Sequence, residues 1–444
     1  MTSFNRADLS LLAIGLGLVA LTALGPLLHQ RLGGIALLAV VLACGAAASR
    51  AGHIAVDGNA RMALWIILAG AAGMRLALLF TEPALSTDVW RYIWDGRVQA
   101  AGVNPYRYIP RAPELEALRD AVVFPKINRA DYAVTIYPPV AQMIFFAITR
   151  LGESLLAMKL GLLAFEALAM VSIIAILRQL GVSDARVAAY AWHPLPVWEI
   201  AGNAHVDAAM VGLMLLGLAL FVRGGKLISA IVIAAAALVK PTALLTLPAL
   251  WRPWNWKLPL VVALTIGMLY APYLAVGWGV LGFLPDYVRE EGLDSGSRFW
   301  LLAMVERLTG RLAGGGRIYL LLAGVMLSAL ALRAGLRADR GPRSTLVAVA
   351  GLIACFLILL SPAYPWYFVA LVPFCALTNT LTPWVLTLGA FLLYDVIPGD
   401  RLPVFMTRST ILYILTLTAV ACDLRSARAR LPSTTAVTTG GTNP

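Results

Sequence analysis

The chain has 444 residues, 60% of them hydrophobic and 13% charged, with a mean hydropathy of +0.81. That composition excludes a soluble globular domain of this length, because so much apolar surface has to be buried against lipid. The net charge of +12 is spread over the joints between apolar runs, which excludes a concentrated nucleic-acid or polyanion surface and reads as a topology signal.

Apolar runs of roughly 15 to 25 residues recur from Leu9 to Cys422, and a helical span needs about 20. The pattern predicts an all-α polytopic membrane protein with about 12 to 14 transmembrane helices, their backbone groups satisfied internally. The first run follows Arg6 and is expected to be an uncleaved first helix. Residues 1–60 supply two spans, residues 61–424 form the core, and residues 425–444 form a cytoplasmic tail, disordered from Pro432 to Pro444. With the amino terminus inside, Arg50, Arg61, Arg178, Arg186, Arg223, Lys226, Arg252, Lys257 and the Arg333 to Arg343 cluster all fall inside. The hydrophilic loop Thr81 to Tyr137 then lies outside, with Val276 to Ser297, Ser361 to Tyr367 and Asp395 to Thr407.

Two segments depart from simple spans. Pro138 to Leu151 is too short to cross comfortably and reads as an interfacial or re-entrant helix. Lys226 to Arg252 is interrupted by Lys240-Pro241, because proline lacks an N–H and disfavours helix at the residue before it. Four cysteines (Cys44, Cys355, Cys375, Cys422) stand singly in apolar runs and the four histidines are scattered, so no disulfide framework, metal centre or cofactor is expected.

Within the loop, acids and bases balance, which is unlike a polybasic lipid-binding patch. Asp88, Arg91, Tyr92 and Asp95 fall at i, i+3, i+4 and i+7, on one face of a helix. They combine a carboxylate able to act as base, a guanidinium able to grip phosphate and an aromatic able to stack on a sugar; the alternative is an interfacial helix of satisfied ion pairs and belt aromatics. Lys240 sits at the helix break, where it either meets an anionic headgroup such as a carrier phosphate or snorkels outward. Glu199, Asn203, His205 and Asp207 gather at an outer turn, for sugar or phosphate hydrogen bonding or, for Asn203, capping. Tyr364, Trp366 and Tyr367 serve sugar stacking or the aromatic belt. Lys159 and Glu166, seven apart, are expected to pair through water or bundle partners, and Arg75 to meet a headgroup or donor phosphate. Asp286, Arg289, Glu290 and Glu291 either close over the site as a lid or stay solvated.

The run Asp88-Val-Trp-Arg-Tyr-Ile-Trp-Asp-Gly-Arg-Val-Gln-Ala-Ala-Gly-Val-Asn-Pro-Tyr, followed by Thr135-Ile-Tyr-Pro-Pro-Val, resembles the first external loop of GT-C glycosyltransferases. The likeness is greatest to bacterial polyprenyl-phosphate-mannose-dependent mannosyltransferases, with the GPI-anchor mannosyltransferase more distant. The Pro-Pro helix, the His-Asp element and the late Pro-Trp-Tyr motif extend it over most of Ala63 to Pro373, and the two spans before Arg61 look like an addition to the common core.

The resemblance implies a GT-C-like bundle with external juxtamembrane helices. It also implies transfer of a hexose, mannose first, from a polyprenyl-phosphate carrier to a lipid or glycan acceptor hydroxyl on the outer face of a bacterial inner membrane. Such transfer inverts the anomeric carbon, and by position Asp88 is the general base. Arg91, Tyr92, Lys240, His205 and Asp207 are then candidates for the donor phosphate and sugar. Asp95, Glu199, Asn203, Tyr137, Tyr364, Trp366 and Tyr367 are candidates for the acceptor or for support. Relatives that carry two acids in this loop space them more closely than Asp88 and Asp95. Two other readings stand beside this one: a transporter or flippase of lipid-linked sugars, and a glycan ligase or polymerase using a lipid-diphosphate donor.

Overall fold

A computed structural model describes residues 5–32, 34–54, 60–252, 255–294, 296, 298–310, 315–337, 341–394 and 401–429. The segment 395–400 and the tail beyond 429 lie outside the described residues. Those described form an all-α bundle: α1 (Arg6–Leu32), α2 (Gly34–Ile54), α3 (Ala60–Leu79), α4 (Asp88–Ala100), α5 (Pro139–Leu151), α6 (Leu155–Gln179), α7 (Asp207–Val222), α8 (Lys226–Ala237), α9 (Lys257–Tyr270), α10 (Leu284–Glu290), α11 (Trp300–Thr309), α12 (Gly315–Leu336), α13 (Pro342–Leu360), α14 (Thr382–Gly389) and α15 (Arg401–Ala429).

Among the described residues seven helices are long and apolar enough to cross a membrane alone, and seven more apolar helices are shorter. Proline accounts for several of the short ones. Pro241 and Pro248 divide the stretch after α8, and Pro365, Pro373 and Pro383 punctuate residues 365–393 into 3₁₀ and α pieces. The break at Lys240 is as expected: α8 ends at Ala237, Lys240 is extended, and a 3₁₀ turn restarts at Pro241. The carbonyl left free at the break is not lost to lipid, because Val140 and Ala141, at the start of α5, donate their N–H groups to Leu238 O at 3.1 and 3.2 Å. The Pro138-Pro139 turn and the Lys240-Pro241 break are thereby docked on each other.

Buried charges tie the spans together. Arg75 of α3 grips Glu166 of α6 through two nitrogens, at 2.5 and 3.2 Å, and also donates to the carbonyl of Ala191. Lys159, fully buried, donates to Leu78 O at 2.9 Å and Thr81 O at 2.7 Å. A cation thus satisfies the orphan carbonyls at the end of α3, where the helix dipole favours it. This corrects the expected association of Lys159 with Glu166. They share a helix face, but Glu166 is taken by Arg75 and Lys159 by backbone, and Arg75 is committed inside the bundle.

The first two helices are built into the core. Trp192 lies against Gly15 of α1 and Gly70 of α3 and donates its indole N–H to Ile67 O at 2.8 Å. Trp198 fills a notch at Gly25 of α1, where any Cβ would overlap its ring.

Candidate active site

The loop Thr81 to Tyr137 opens with a turn held by Asn203. Its amide oxygen accepts from Leu85 N at 3.0 Å and its nitrogen donates to Trp198 O at 3.1 Å. Asn203, almost fully buried, therefore braces the loop, with both ends of the amide engaged. After the turn α4 begins at Asp88, partly exposed in the first helical turn, where the helix dipole favours a carboxylate. Asn128 donates to Asp88 Oδ1 at 2.7 Å, and among the described residues no lysine or arginine pairs with it.

The next turn of α4 points inward. Arg91 Nε donates to Asp95 Oδ1 at 2.7 Å and Nη1 to Ala133 O at 3.1 Å. The other Asp95 oxygen accepts from Thr135 Oγ1 at 2.6 Å and Gln142 Nε2 at 3.0 Å. Both members of the pair are buried. They lock α4 to the Thr135 strand of the loop and to α5, so the guanidinium expected at a phosphate is occupied within the fold.

Tyr92, one turn below Asp88, stacks on Phe145 at 4.5 Å and meets Tyr137 edge to face at 4.9 Å. Burial, and after it the charge of Asp88, push the Tyr92 and Tyr137 phenols well above their ordinary range, and the charge of Asp207 adds to the effect on Tyr92. Asp88 and Asp207, far apart in the chain, thus act on one hydroxyl.

The facing wall carries Lys240. Its Nζ lies 2.5 Å from Asp207 Oδ2 and 5.1 Å from the centre of the Tyr367 ring, while the Tyr367 hydroxyl meets that of Tyr287 at 2.9 Å. Behind it, residues Val197–Gly202 form a π-helical turn, a form frequent at functional sites, and Ala204 takes a φ of 57° to reverse the chain. The turn directs His205 and Asp207 to different partners. His205 Nδ1 lies 2.7 Å from Glu199 Oε2, Tyr394 donates to the other Glu199 oxygen, and Asp207 belongs to Lys240. The His205 ring packs 4.4 Å from Trp366, which stacks on Tyr364 at 4.5 Å.

The later outer loop reaches over this arrangement. Arg129 pairs with Glu290 at 2.7 Å, Glu291 pairs with Arg298, and Phe283 N donates to Thr135 O at 3.0 Å. The backbone approach at Gly282, φ 58°, leaves no room for a Cβ beside the Thr135 carbonyl. Below it a cleft is lined by Tyr287, Arg298, Phe356, Leu360, Tyr364 and Tyr367, among others. Asn128, Arg129, Thr135, Gln142 and Tyr287 were not singled out in the sequence. Only Gln142 had a local signal, a polar residue inside the apolar helix α5. Among the described residues no three His, Cys, Asp or Glu side chains gather as a metal-holding group.

Residues 25–256 match the family described as Alpha-(1->6)-mannopyranosyltransferase, N-terminal domain, a stretch that includes Asp88, the π-helical turn and Lys240. Among curated proteins, Alpha-(1->6)-mannopyranosyltransferase A of Mycobacterium tuberculosis is 28% identical over 187 residues, which is 40% of this chain and 34% of that relative. The match thus spans about a third of the relative's length. No solved structure matches.

Proposed function

Because the chain belongs to the alpha-(1->6)-mannopyranosyltransferase family, we propose that it transfers mannose from a polyprenyl monophosphate carrier to an acceptor hydroxyl, inverting the anomeric carbon, with Asp88 as general base. The observation that carries the reading is the contrast between two carboxylates that act on the Tyr92 hydroxyl. Asp207 is held by a lysine, whereas Asp88 is partly exposed and held only by a neutral amide. A base has to keep one oxygen available to an acceptor proton, and Asn128 orients Oδ1 while leaving Oδ2 open to that role.

The acceptor oxygen gives its proton to Asp88 and attacks the anomeric carbon. The bond from that carbon to the phosphate oxygen breaks, and the electron pair leaves with the phosphate. In-line displacement needs base and leaving group on opposite sides of the sugar, an arrangement supported by the placing of Asp88 on α4 and Lys240 on the facing wall. Tyr92, Tyr137 and the Tyr364, Trp366 and Tyr367 group would flank the sugar, and His205 with Glu199 would set the position of Trp366. Arg91 and Asp95 hold α4 in register, and the positive charges at the other joints favour an outer-face site in a bacterial inner membrane.

A lipid-diphosphate donor fits less well. Arg91, Arg129, Lys240 and Arg298 each already have a carboxylate partner, leaving no pair of cations for the added phosphate charge. The test is mannosyl transfer by purified protein supplied with labelled polyprenyl-phosphate mannose and membrane lipid extract. D88N should lose at least about 100-fold in rate, the usual share of a general base, and transfer at the wild-type rate would remove Asp88 from the mechanism. Donor uptake into sealed vesicles without product formation would favour a transporter.

A further inference from the structure

The Lys240–Asp207 pair is unusual for a phosphate contact. The lysine that would attract the carrier is neutralised at 2.5 Å by a carboxylate that is 1% exposed. Asp207 is the first residue of α7, where free N–H groups and the helix dipole stabilise negative charge. It therefore keeps its charge when Lys240 turns toward a ligand.

The charge on the ligand changes during the reaction. The donor is a phosphodiester with one negative charge. Acceptor attack forms the new glycosidic bond, moves one proton to Asp88 and leaves the electron pair of the broken bond on the carrier phosphate. The product is a phosphomonoester whose second ionisation lies near a pKa of about 6, so at neutral pH it carries close to two charges. Lys240 and Asp207 together present no net charge, and the neighbouring arginines are matched by Asp95, Glu290 and Glu291. The second charge meets only Asp207.

We propose that Asp207 is a specificity-determining residue that limits the Lys240 site to a singly charged phosphate, holding the phosphodiester donor and expelling the phosphomonoester product. The inference rests on the reading of Lys240 as the phosphate contact. A role confined to orienting Lys240 makes the opposite prediction, because removing the carboxylate would then weaken both ligands alike.

The experiment measures displacement of labelled donor from the full-length protein in neutral-lipid nanodiscs by two probes, polyprenyl phosphate and its methyl phosphodiester. The wild type should bind the diester more tightly than the monoester, by about tenfold, equivalent to about 1.4 kcal/mol. In D207N the monoester should tighten by tenfold or more while the diester changes less than threefold, so that product inhibition appears during turnover. Parallel weakening of both probes in D207N, with K240M also weakened, overturns the inference and leaves Lys240 in place. Binding unchanged in K240M overturns the Lys240 assignment and the inference with it. If D207N does not fold, the wild-type comparison alone decides: preference for the monoester overturns the proposal.

Discussion

Two regions of the bundle solve the membrane problem in different ways. In α3 and α6 a substantial part of the spanning surface, 39% of each apolar window, is closed off inside the protein, against 11% for Lys257–Glu290 and 17% for α12. The first region encloses Arg75 with Glu166 and, through α4, Arg91 with Asp95. The second turns Met268, Trp278 and Leu321 outward and meets the reactive loop at a few points on and beside α9 and α10, such as Arg129 with Glu290 and Phe283 with Thr135. A rigid frame thus carries the reacting groups, and a lipid-facing arm contributes a cover. Substitutions should separate the two regions by the size and kind of their effects.

The largest loss belongs to Asp88. D88N should reduce turnover by about 10² to 10⁴ without lowering thermal stability, and a comparable fall in both would place Asp88 among the frame residues. Next comes the frame itself. Removing one member of a buried pair typically costs about 3 to 5 kcal/mol, so E166Q should destabilise the detergent-solubilised protein by several degrees in a melting assay. A harmless E166Q would mean that the pair is dispensable. K240M should act on the donor alone, raising its KM by about tenfold, the size of one charged hydrogen bond, with the melting temperature near wild type. The cover should matter least: Arg129 and Glu290 are partly exposed, and such pairs are worth about 0 to 1 kcal/mol. R129Q should alter KM by no more than a few-fold, and a loss approaching that of D88N would make the arm part of the machinery.

A pH test reaches the base of the loop. Burial works against the charge of Asp120, but the N–H groups of Val123 and Phe124 and the guanidinium of Arg97 outweigh it and hold the carboxyl down at about 2. A depressed carboxylate contributes stability that is present above its unfolded value, near 4, and lost as pH falls through the folded one. Pepsin cleavage within residues 118–130 should therefore accelerate between pH 4 and 2, and less so in D120N, which lacks the ionisation.

Much of this was readable from residue spacing. The hydrophilic loop, the break at Lys240-Pro241 and the short helix after Pro138 follow from local rules about charge and proline, and Arg91 with Asp95 follows from the four-residue helical repeat. What could not be read were partners chosen by packing. Asn128 reaches Asp88 from 40 residues away, Glu166 prefers Arg75 across 91, and Lys159 turns to carbonyls of another helix. His205 and Asp207 were rightly separated by their two-residue spacing, but the backbone reversal at Ala204 that sends them to Glu199 and Lys240 has no local signature, since alanine rarely takes a positive φ.

The notch at Gly25 bears on how the protein is made. Trp198 sits in it while its carbonyl receives the Asn203 amide that secures the reactive loop. Helix α1 leaves the ribosome long before either residue, so it has to wait in the bilayer as a half-formed socket until the segment around Trp198 is inserted. Expression from Arg61 onward would therefore deprive that tryptophan of its seat. Supplying residues 1–60 as a separate peptide during synthesis should restore more active protein than adding it afterwards.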